Sequence, residues 1–597
     1  MIAGLDASQE QVSAVEARAR QLVFAGPGAG KTQTISALVA NLLEHHDLDG
    51  SSELVVISFS NAAVRAVDER LRAHGLPAVT VQTLDSLARE AIRDLSDSDV
   101  PTASFDRRIE MATELVQANR WDRLGSLQHL IVDEVQDVVG VRADFLISIL
   151  QALPSGSGFS LLGDLAQGIY DFQLRPDPRR PKKRASDTTA QELCLRVLDL
   201  GDVSQRTLAG QYRALTRDSL AAAGLRHSAL GADDGVELER FISRIVQVGS
   251  VDAAAIAADR WPGRTAFLTA TNGQALLVAR TLTDGGHNVE LSRGAQQRVI
   301  ARWLAPALAG IETRDLTRTE FVDITAEQEP DADALARWRG MRAVAPSRGP
   351  DVDLRKLAQR LRQPRPLPPA LIDQVETGFV VSTVHRAKGL EFDNVVLVDF
   401  ASKRLLERSD DYGERDRARY VAITRARRRL VRAIGPDDRW VRRDSRSASS
   451  SGRWIVGGPQ DWMTHGFELR LEDLERPSQG RDDHAATQRY LRDSVARGDA
   501  LTLSPDPRQS TLSVPVYSVT HAGILVAQTT PAFGEALAAR IRSREKSSRA
   551  WPALAGARVD AIATRPELPT GQGSRSGLWL VPVASGLLNI KWNGSTS

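Results

Sequence analysis

The sequence predicts an α/β chain built on two parallel sheets, followed by a small β-rich module with one helix. Three observations carry that prediction. Short apolar runs at residues 21–25, 54–58, 79–82 and 130–132 alternate with stretches of helical periodicity, the rhythm of a parallel sheet covered on both faces. Runs at 265–270, 379–383 and 395–399 repeat that rhythm and predict a second sheet. From about residue 500 the pattern becomes short strands around turn residues, at 500–503, 515–520, 524–528 and 578–583, with a helix at 532–542.

The first run leads into the stretch around which the chain is organised. Ala25-Gly26-Pro27-Gly28-Ala29-Gly30-Lys31-Thr32 is a phosphate-binding loop, and Ile35, Leu38, Val39, Leu42 and Leu43 behind it share one helical face. Glycines let backbone N–H groups wrap a phosphate chain at a helix start. Lys31 adds a point charge on the β- and γ-phosphates, and the Thr32 hydroxyl is a ligand for Mg²⁺. The strand at 130–132 ends in Asp133 and Glu134, at the edge where open α/β sheets bind ligands. Asp133 suits the metal, and Glu134 the attacking water. Residues 160–164 form a further strand ending in an acid. Gln167 follows, placed to sense a γ-phosphate, with Tyr170 and Phe172 as aromatic surfaces for bases.

Upstream, Asp6 or Ser8 caps the first helix. Residues 175–184 pack six basic residues and three prolines into a loop. Gln211-Tyr212-Arg213 is read as following a helix, residues 414–428 as one basic helix, and residues 442–453, rich in Ser and Arg, as linker.

Composition sets the outer bounds. A chain of 597 residues corresponds to about three to five domains. Hydrophobic content of 42% and charged content of 25% are those of an ordinary globular protein. No apolar run reaches the ~18 residues of a membrane span and the start has no signal-peptide pattern, so the expectation is no membrane contact and a cytoplasmic location. The single cysteine, Cys194, excludes an internal disulfide and a cysteine metal cluster. Lys and Arg number 77 against 75 Asp and Glu, so any nucleic-acid-binding surface is local.

Taken together and in order, these blocks resemble the UvrD/Rep/PcrA type of superfamily 1 helicase over residues 5–428. Gln9 falls on the family's adenine-reading glutamine, Lys31 and Thr32 on its phosphate loop, and Asp133, Glu134, Gln136 and Asp137 on its DEXQD box. Residues 163–170 resemble the third motif, with Gln167 coupling γ-phosphate to DNA. Tyr212 falls on the adenine-stacking position and Arg213 on an arginine finger. Thr383, His385, Lys388, Gly389 and Glu391 match the fifth motif; Tyr420, Thr424 and Arg425 match the sixth, where Arg425 is the second finger. The resemblance implies two RecA-like P-loop domains (residues 1–210 and 211–441) with ATP in the cleft between them. It further implies reduced insertions at about 88–126 and 301–375, a linker region at 442–480 and a β-rich accessory domain at 481–597. Gly26, Gly28, Ala29, Gly30, Gln33 and Glu391 join the expected nucleotide site. Phe59, Asn61, Thr83, Tyr170, Phe172, Thr383 and His385 are the expected contacts to single-stranded DNA.

The implied activity is ATP-dependent 3′-to-5′ movement along single-stranded DNA and at duplex–single-strand junctions. Three positions depart from the family pattern: Gln33 for Arg, Asp85 for His in the Thr-x-His-Ser block, and Phe172-Gln173 for Trp-Arg. A different class of function, a DNA-stimulated ATPase serving as sensor or partner subunit through the C-terminal module, accounts for the same motifs with little unwinding. A small-molecule kinase leaves the Arg213, Thr383 and Arg425 blocks without purpose. Residues after 442 carry no nuclease signature.

Overall fold

The computed structural model describes residues 4–59, 61–94, 104–174, 186–292, 299–309, 311, 314–328, 333–345, 349–363, 367–373, 378–401, 412–444, 452–460, 463–477, 484–541, 551–567 and 577–592. Six strands form the first sheet: β1 (Arg20–Ala25), β2 (Leu54–Ile57), β3 (Thr80–Gln82), β4 (His129–Val132), β5 (Gly158–Gly163) and β6 (Ser204–Leu208). Their order is β3-β2-β4-β5-β1-β6, all parallel, with Leu22 opposite Leu161 and Val56 opposite Ile131.

Alternation along these strands feeds two cores. Leu22, Val55, Ile57, Leu130, Val132 and Leu161 point to one face, under α4 (Leu84–Arg93), α5 (Phe105–Gln117), α6 (Arg123–Ser126), α7 (Val141–Ala152) and α8 (Ala190–Leu198). Val23, Leu54, Val56, Ile131 and Leu162 point to the other, under α1 (Ala7–Ser13), α2 (Lys31–Glu44) and α3 (Asn61–Ala73). A strand buried on both faces cannot alternate polar with apolar, so these runs read as continuous hydrophobic stretches. Asp6 caps α1 through a reciprocal box with Gln9. The thiol of Cys194 is buried in this core and pushed up to about 12 by burial.

The second sheet, built on residues 247–434, has the order β7-β14-β13-β8-β12-β9. Its strands are β7 (Gln247–Ser250), β8 (Thr265–Thr269), β9 (Val289–Leu291), β12 (Phe379–Thr383), β13 (Phe392–Asp399) and β14 (Ala426–Ile434), while β10 (Asp315–Leu316) and β11 (Val352–Asp353) form a short antiparallel pair. Residues 414–428 are therefore not one helix. The helix is Tyr412–Ile423, and Arg427, Arg428 and Arg429 lie on β14, whose interior positions Leu430 and Ala433 are buried. Gln211 follows a strand, not a helix: β6 is an edge strand with mostly exposed positions, so it lacks the apolar run that marks its neighbours.

The chain divides into two compact units, residues 1–246, 387–397 and 406–431 in one, and residues 247–386, 398–405 and 432–597 in the other. The expected boundaries near 210 and 441 differ from these. In the second unit a nine-stranded antiparallel sheet runs β15-β16-β17-β25-β22-β19-β20-β21-β18. Four of its strands are β15 (Val441–Arg443), β16 (Trp454–Gly457), β17 (Thr464–Leu469) and β18 (Leu474–Glu475), so the stretch read as linker belongs to the sheet. The others are β19 (Ala500–Pro505), β20 (Tyr517–His521), β21 (Ile524–Thr529), β22 (Ala553–Arg558) and β25 (Gly586–Lys591), and β23 (Ala561–Pro566) pairs with β24 (Leu578–Val583). Ser and Arg in 441–453 hid these strands because Arg453 is itself buried, paired to Asp473. The expected insertion at 301–375 shares one core with this sheet: Leu304, Phe321, Trp338 and Leu357 pack in the same cluster as Phe467, Tyr517 and Phe533. Among the described residues no helix is long and apolar enough to cross a membrane.

Candidate active site

Parallel strands deliver their carboxyl ends to one edge of the first sheet. There β1 ends in the phosphate loop, β4 in Asp133 and Glu134, β5 in Asp164, and β6 leads to Tyr212 and Arg213. The loop is shaped by glycine: Gly28 and Gly30 both have φ +81°, and a Cβ on them would sit 2.2 Å from Gln211 Oε1 and 2.4 Å from Gln9 Nε2 respectively. Only a residue without a side chain fits either place.

The result is a cavity of about 390 Å³ lined by residues 28–33, Asp133, Glu134, Asp137, Gln167, Tyr212, Arg213, Lys388, Glu391 and Arg425, with Phe59, Tyr170 and the Ala63, Ala66, Val67 and Arg70 side of α3. All of these belong to the first unit. Lys31 Nζ lies 3.8 Å from Glu134 Oε1 and donates to the Ala25 carbonyl at 3.5 Å. Glu134 has φ +56°, a left-handed backbone that is costly for a residue with a Cβ and turns its carboxylate into the cavity rim. Arg213 holds Glu391 through Nε and Nη2, at 2.8 and 2.7 Å, while its Nη1 is buried with no hydrogen-bond partner among the described residues. Arg425, 1% exposed, donates to the carbonyls of Val421 and Leu390 and to Gln167 Oε1 at 2.9 Å. Lys388 is bonded to Asp137 and to the Gln167 carbonyl, and its ammonium stands 5.2 Å over the Tyr170 ring.

Charge is distributed unequally over the acids. Burial and the neighbouring Glu134 push Asp133 up to about 7, and burial does the same to Asp137 against the pull of Lys388. Burial also acts to raise Glu134, but Lys31, Lys388 and the Gln136 amide outweigh it and hold Glu134 down at about 2. Burial, with Arg213 nearby, lowers Arg425 to about 9. The cavity thus offers several cations, an orphaned guanidinium nitrogen, and three acids of two characters, Asp133 and Asp137 raised and Glu134 lowered. A polyphosphate anion with a divalent cation fits that donor set; a neutral or cationic ligand does not.

The structure brings together most of the residues singled out from the sequence. Gln9 is fully buried beside the loop, its Nε2 donating to the Gly30 carbonyl at 3.4 Å, and Tyr212 donates its hydroxyl to Asp6. Gly26 makes the turn but does not line the cavity. Phe59 and Tyr170, expected to face bases, stack on each other with centroids 4.9 Å apart in the wall of this same cavity. Thr83 is buried, its hydroxyl capping α4 through the Ser86 N–H. Thr383, 5% exposed, and His385 belong to the second unit. The side chains of Asn61 and Phe172, and the basic loop 175–184, lie outside the described residues. Lys388, Asp137 and Asp164 were given no role from the sequence. Lys388 stood in a matched motif, but only the fold shows its ammonium on Asp137.

The chain is similar to known proteins in two segments. The family model described as an AAA domain matches residues 9–173, and the UvrD-like helicase C-terminal domain matches residues 371–434. The ATP-dependent DNA helicase UvrD2 of Mycobacterium tuberculosis (strain H37Rv) and that of Mycobacterium bovis are each 27% identical over 334 residues, covering 50% of this chain and 46% of the relative. The chain therefore spans about half the length of these relatives. Among solved structures, the Pif1 helicase from Candida albicans is 13% identical with a TM-score of 0.36, covering 72% of this chain and 94% of that one. The Saccharomyces cerevisiae Dbp5 complex with Nup159 and Gle1 has 11% identity and a TM-score of 0.34, covering 73% of this chain and 85% of that one. The residues that line the cavity fall largely within the two matched segments, and over those segments the chain is similar to UvrD-like helicases.

Proposed function

We propose that this chain is an ATP-dependent DNA helicase and translocase that moves 3′ to 5′ along single-stranded DNA, in the cytoplasm, in DNA repair, replication or genome maintenance. One observation carries the reading: Lys31, Asp133, Glu134, Arg213 and Arg425 line a single cavity. In the proposed chemistry the loop N–H groups and Lys31 hold the β- and γ-phosphates of ATP. Thr32 and Asp133 are the residues that would hold Mg²⁺, which neutralises developing phosphate charge when bound. Glu134, kept ionised, accepts hydrogen bonds from the attacking water and orients it. Arg213 directs its unpartnered Nη1, and Arg425 its carboxylate-free guanidinium, at the γ-phosphate. Fingers of this type accelerate hydrolysis by about 10³–10⁵. Gln9 and Tyr212 select and stack the adenine, with Gln33 and Glu391 bordering the nucleotide. Phe59, Asn61, Tyr170, Phe172, Thr383 and His385 are the proposed contacts to single-stranded DNA, whereas the Thr83 hydroxyl is committed to the α4 cap.

Strand displacement tests this directly, using full-length protein and Lys31→Ala on duplexes with a 3′ or a 5′ tail. Lys31-dependent displacement on the 3′ tail alone is expected; displacement on neither tail removes the helicase assignment. A second reading, an ATPase that reports DNA to a protein partner through its C-terminal module, draws support from Ile300, Leu304, Phe321, Trp338, Leu357 and Leu371 sharing a core with the C-terminal sheet. ATP turnover stimulated by single strands without displacement on either tail is its signature.

A further inference from the structure

A polar chain one residue wide connects Glu134 to Arg425. Gln136 donates its Nε2 to Glu134 and accepts, through Oε1, the Asp164 N–H at 2.9 Å. Asp164 Oδ2 in turn accepts Gln167 Nε2 at 2.9 Å, and Gln167 Oε1 accepts Arg425 Nη2 at 2.9 Å. A carboxylate only accepts and a guanidinium only donates, so each amide between them has one permitted orientation. Reversing either would face two donors or two acceptors across a buried contact.

The anchor of this chain is Asp164, whose side chain is 0% exposed. A carboxylate without water needs a cation, and here the cation comes from none of the recognised motifs. Arg226 opens α10 (Arg226–Ala229), which follows α9 (Arg217–Gly224). Its Nε donates to Asp164 Oδ1 at 2.8 Å, and its guanidinium lies 5.9 Å over the ring of Phe24, in the strand that feeds the phosphate loop. The Ala166 N–H adds one further bond to the same oxygen at 3.2 Å.

We infer that Arg226 is a positioning residue: its ion pair with Asp164 fixes the Gln167 amide and, through it, the guanidinium of Arg425. Arg226 does not line the cavity. Without it, Asp164 is a buried, uncompensated charge that competes with Gln167 for Arg425. The inference rests on the proposed ATPase reading, in which Arg425 acts on the γ-phosphate.

Single-turnover ATP hydrolysis and fluorescent-nucleotide binding by wild type, Arg226→Ala, Arg226→Lys, Arg425→Ala and the double variant Arg226→Ala/Arg425→Ala test it. Arg226→Ala is expected to slow hydrolysis about 10- to 100-fold, the scale of a misplaced group, with nucleotide Kd within about twofold. Arg226→Lys recovers part of the rate, and Arg226→Ala adds no loss on top of Arg425→Ala. Asp164→Asn, which keeps the side-chain volume, gives an independent route to the same non-additive loss should Arg226→Ala fail to fold. Unchanged hydrolysis in Arg226→Ala, or a loss that multiplies with that of Arg425→Ala, overturns the inference alone. Absence of any Lys31-dependent hydrolysis in the wild type overturns the ATPase reading and the inference with it.

Discussion

Two buried arginines, Arg425 in the first unit and Arg453 in the second, show how differently a fold can house the same side chain. Arg453, 4% exposed, meets Asp473 through two parallel bonds of 2.6 and 2.7 Å, beside the rings of Phe467 and Phe533. Its charge is answered inside the protein. Arg425, 1% exposed, touches carbonyls, a hydroxyl and an amide, and has no carboxylate within bonding distance among the described residues. A guanidinium desolvated without a counter-ion is a standing demand for an anion from outside. The first arrangement holds a sheet together; the second suits a ligand site.

The largest effect that could break this contrast is on turnover. Arg425→Ala is expected to lower single-turnover ATP hydrolysis by about 10³–10⁵ with little change in thermal unfolding, since it strips only neutral acceptors of a donor. A variant that unfolds while the surviving protein hydrolyses normally would make Arg425 as structural as Arg453. Conversely, Asp473→Ala should cost about 3–5 kcal/mol in denaturant unfolding, because it strands a buried cation, and leave ATP turnover of the folded fraction intact. Replacing both members, Arg453→Met with Asp473→Leu, should return most of that stability.

The acids sharpen the same comparison through pH. Asp133 and Asp137 both sit near 7, above their unfolded value of about 3.9, so the native state binds protons that the unfolded chain has released. Stability from these groups is complete below about pH 4 and is lost as pH rises through 7. Urea unfolding at pH 5 and pH 8 should show it, and Asp133→Asn should flatten the slope. If Asp133 holds the cation, calorimetry in buffers of different ionisation heat should register proton release on Mg²⁺–nucleotide binding near pH 6.5. The smallest change concerns Thr83. Its hydroxyl is committed to capping α4, so Thr83→Ala should cost about 1 kcal/mol of stability and leave affinity for a single-stranded oligonucleotide within about twofold. A larger drop in affinity would establish the hydroxyl as a DNA contact.

Much of the first unit was legible in the chain because local physics and tertiary demand coincide there. A parallel strand buried on both faces needs an unbroken apolar run, and a phosphate loop needs glycine where the backbone turns left-handed, so 21–43 and 130–134 declare themselves. β6 and β14 do not, being exposed or basic along much of their length while their partners supply the hydrogen bonds. Nor do β15 to β18, whose arginines look solvated until Asp473 is placed beside Arg453. The sequence by itself determined the loop, the acid pair and the order of the motifs, because each depends on residues a few positions apart. Only the tertiary structure decided that Arg226 pairs with Asp164, that Lys388 meets Asp137, and that Arg425 bonds the Gln167 amide. Those relations span 62 to 258 positions of chain, and no local pattern encodes which distant charge a buried group will find.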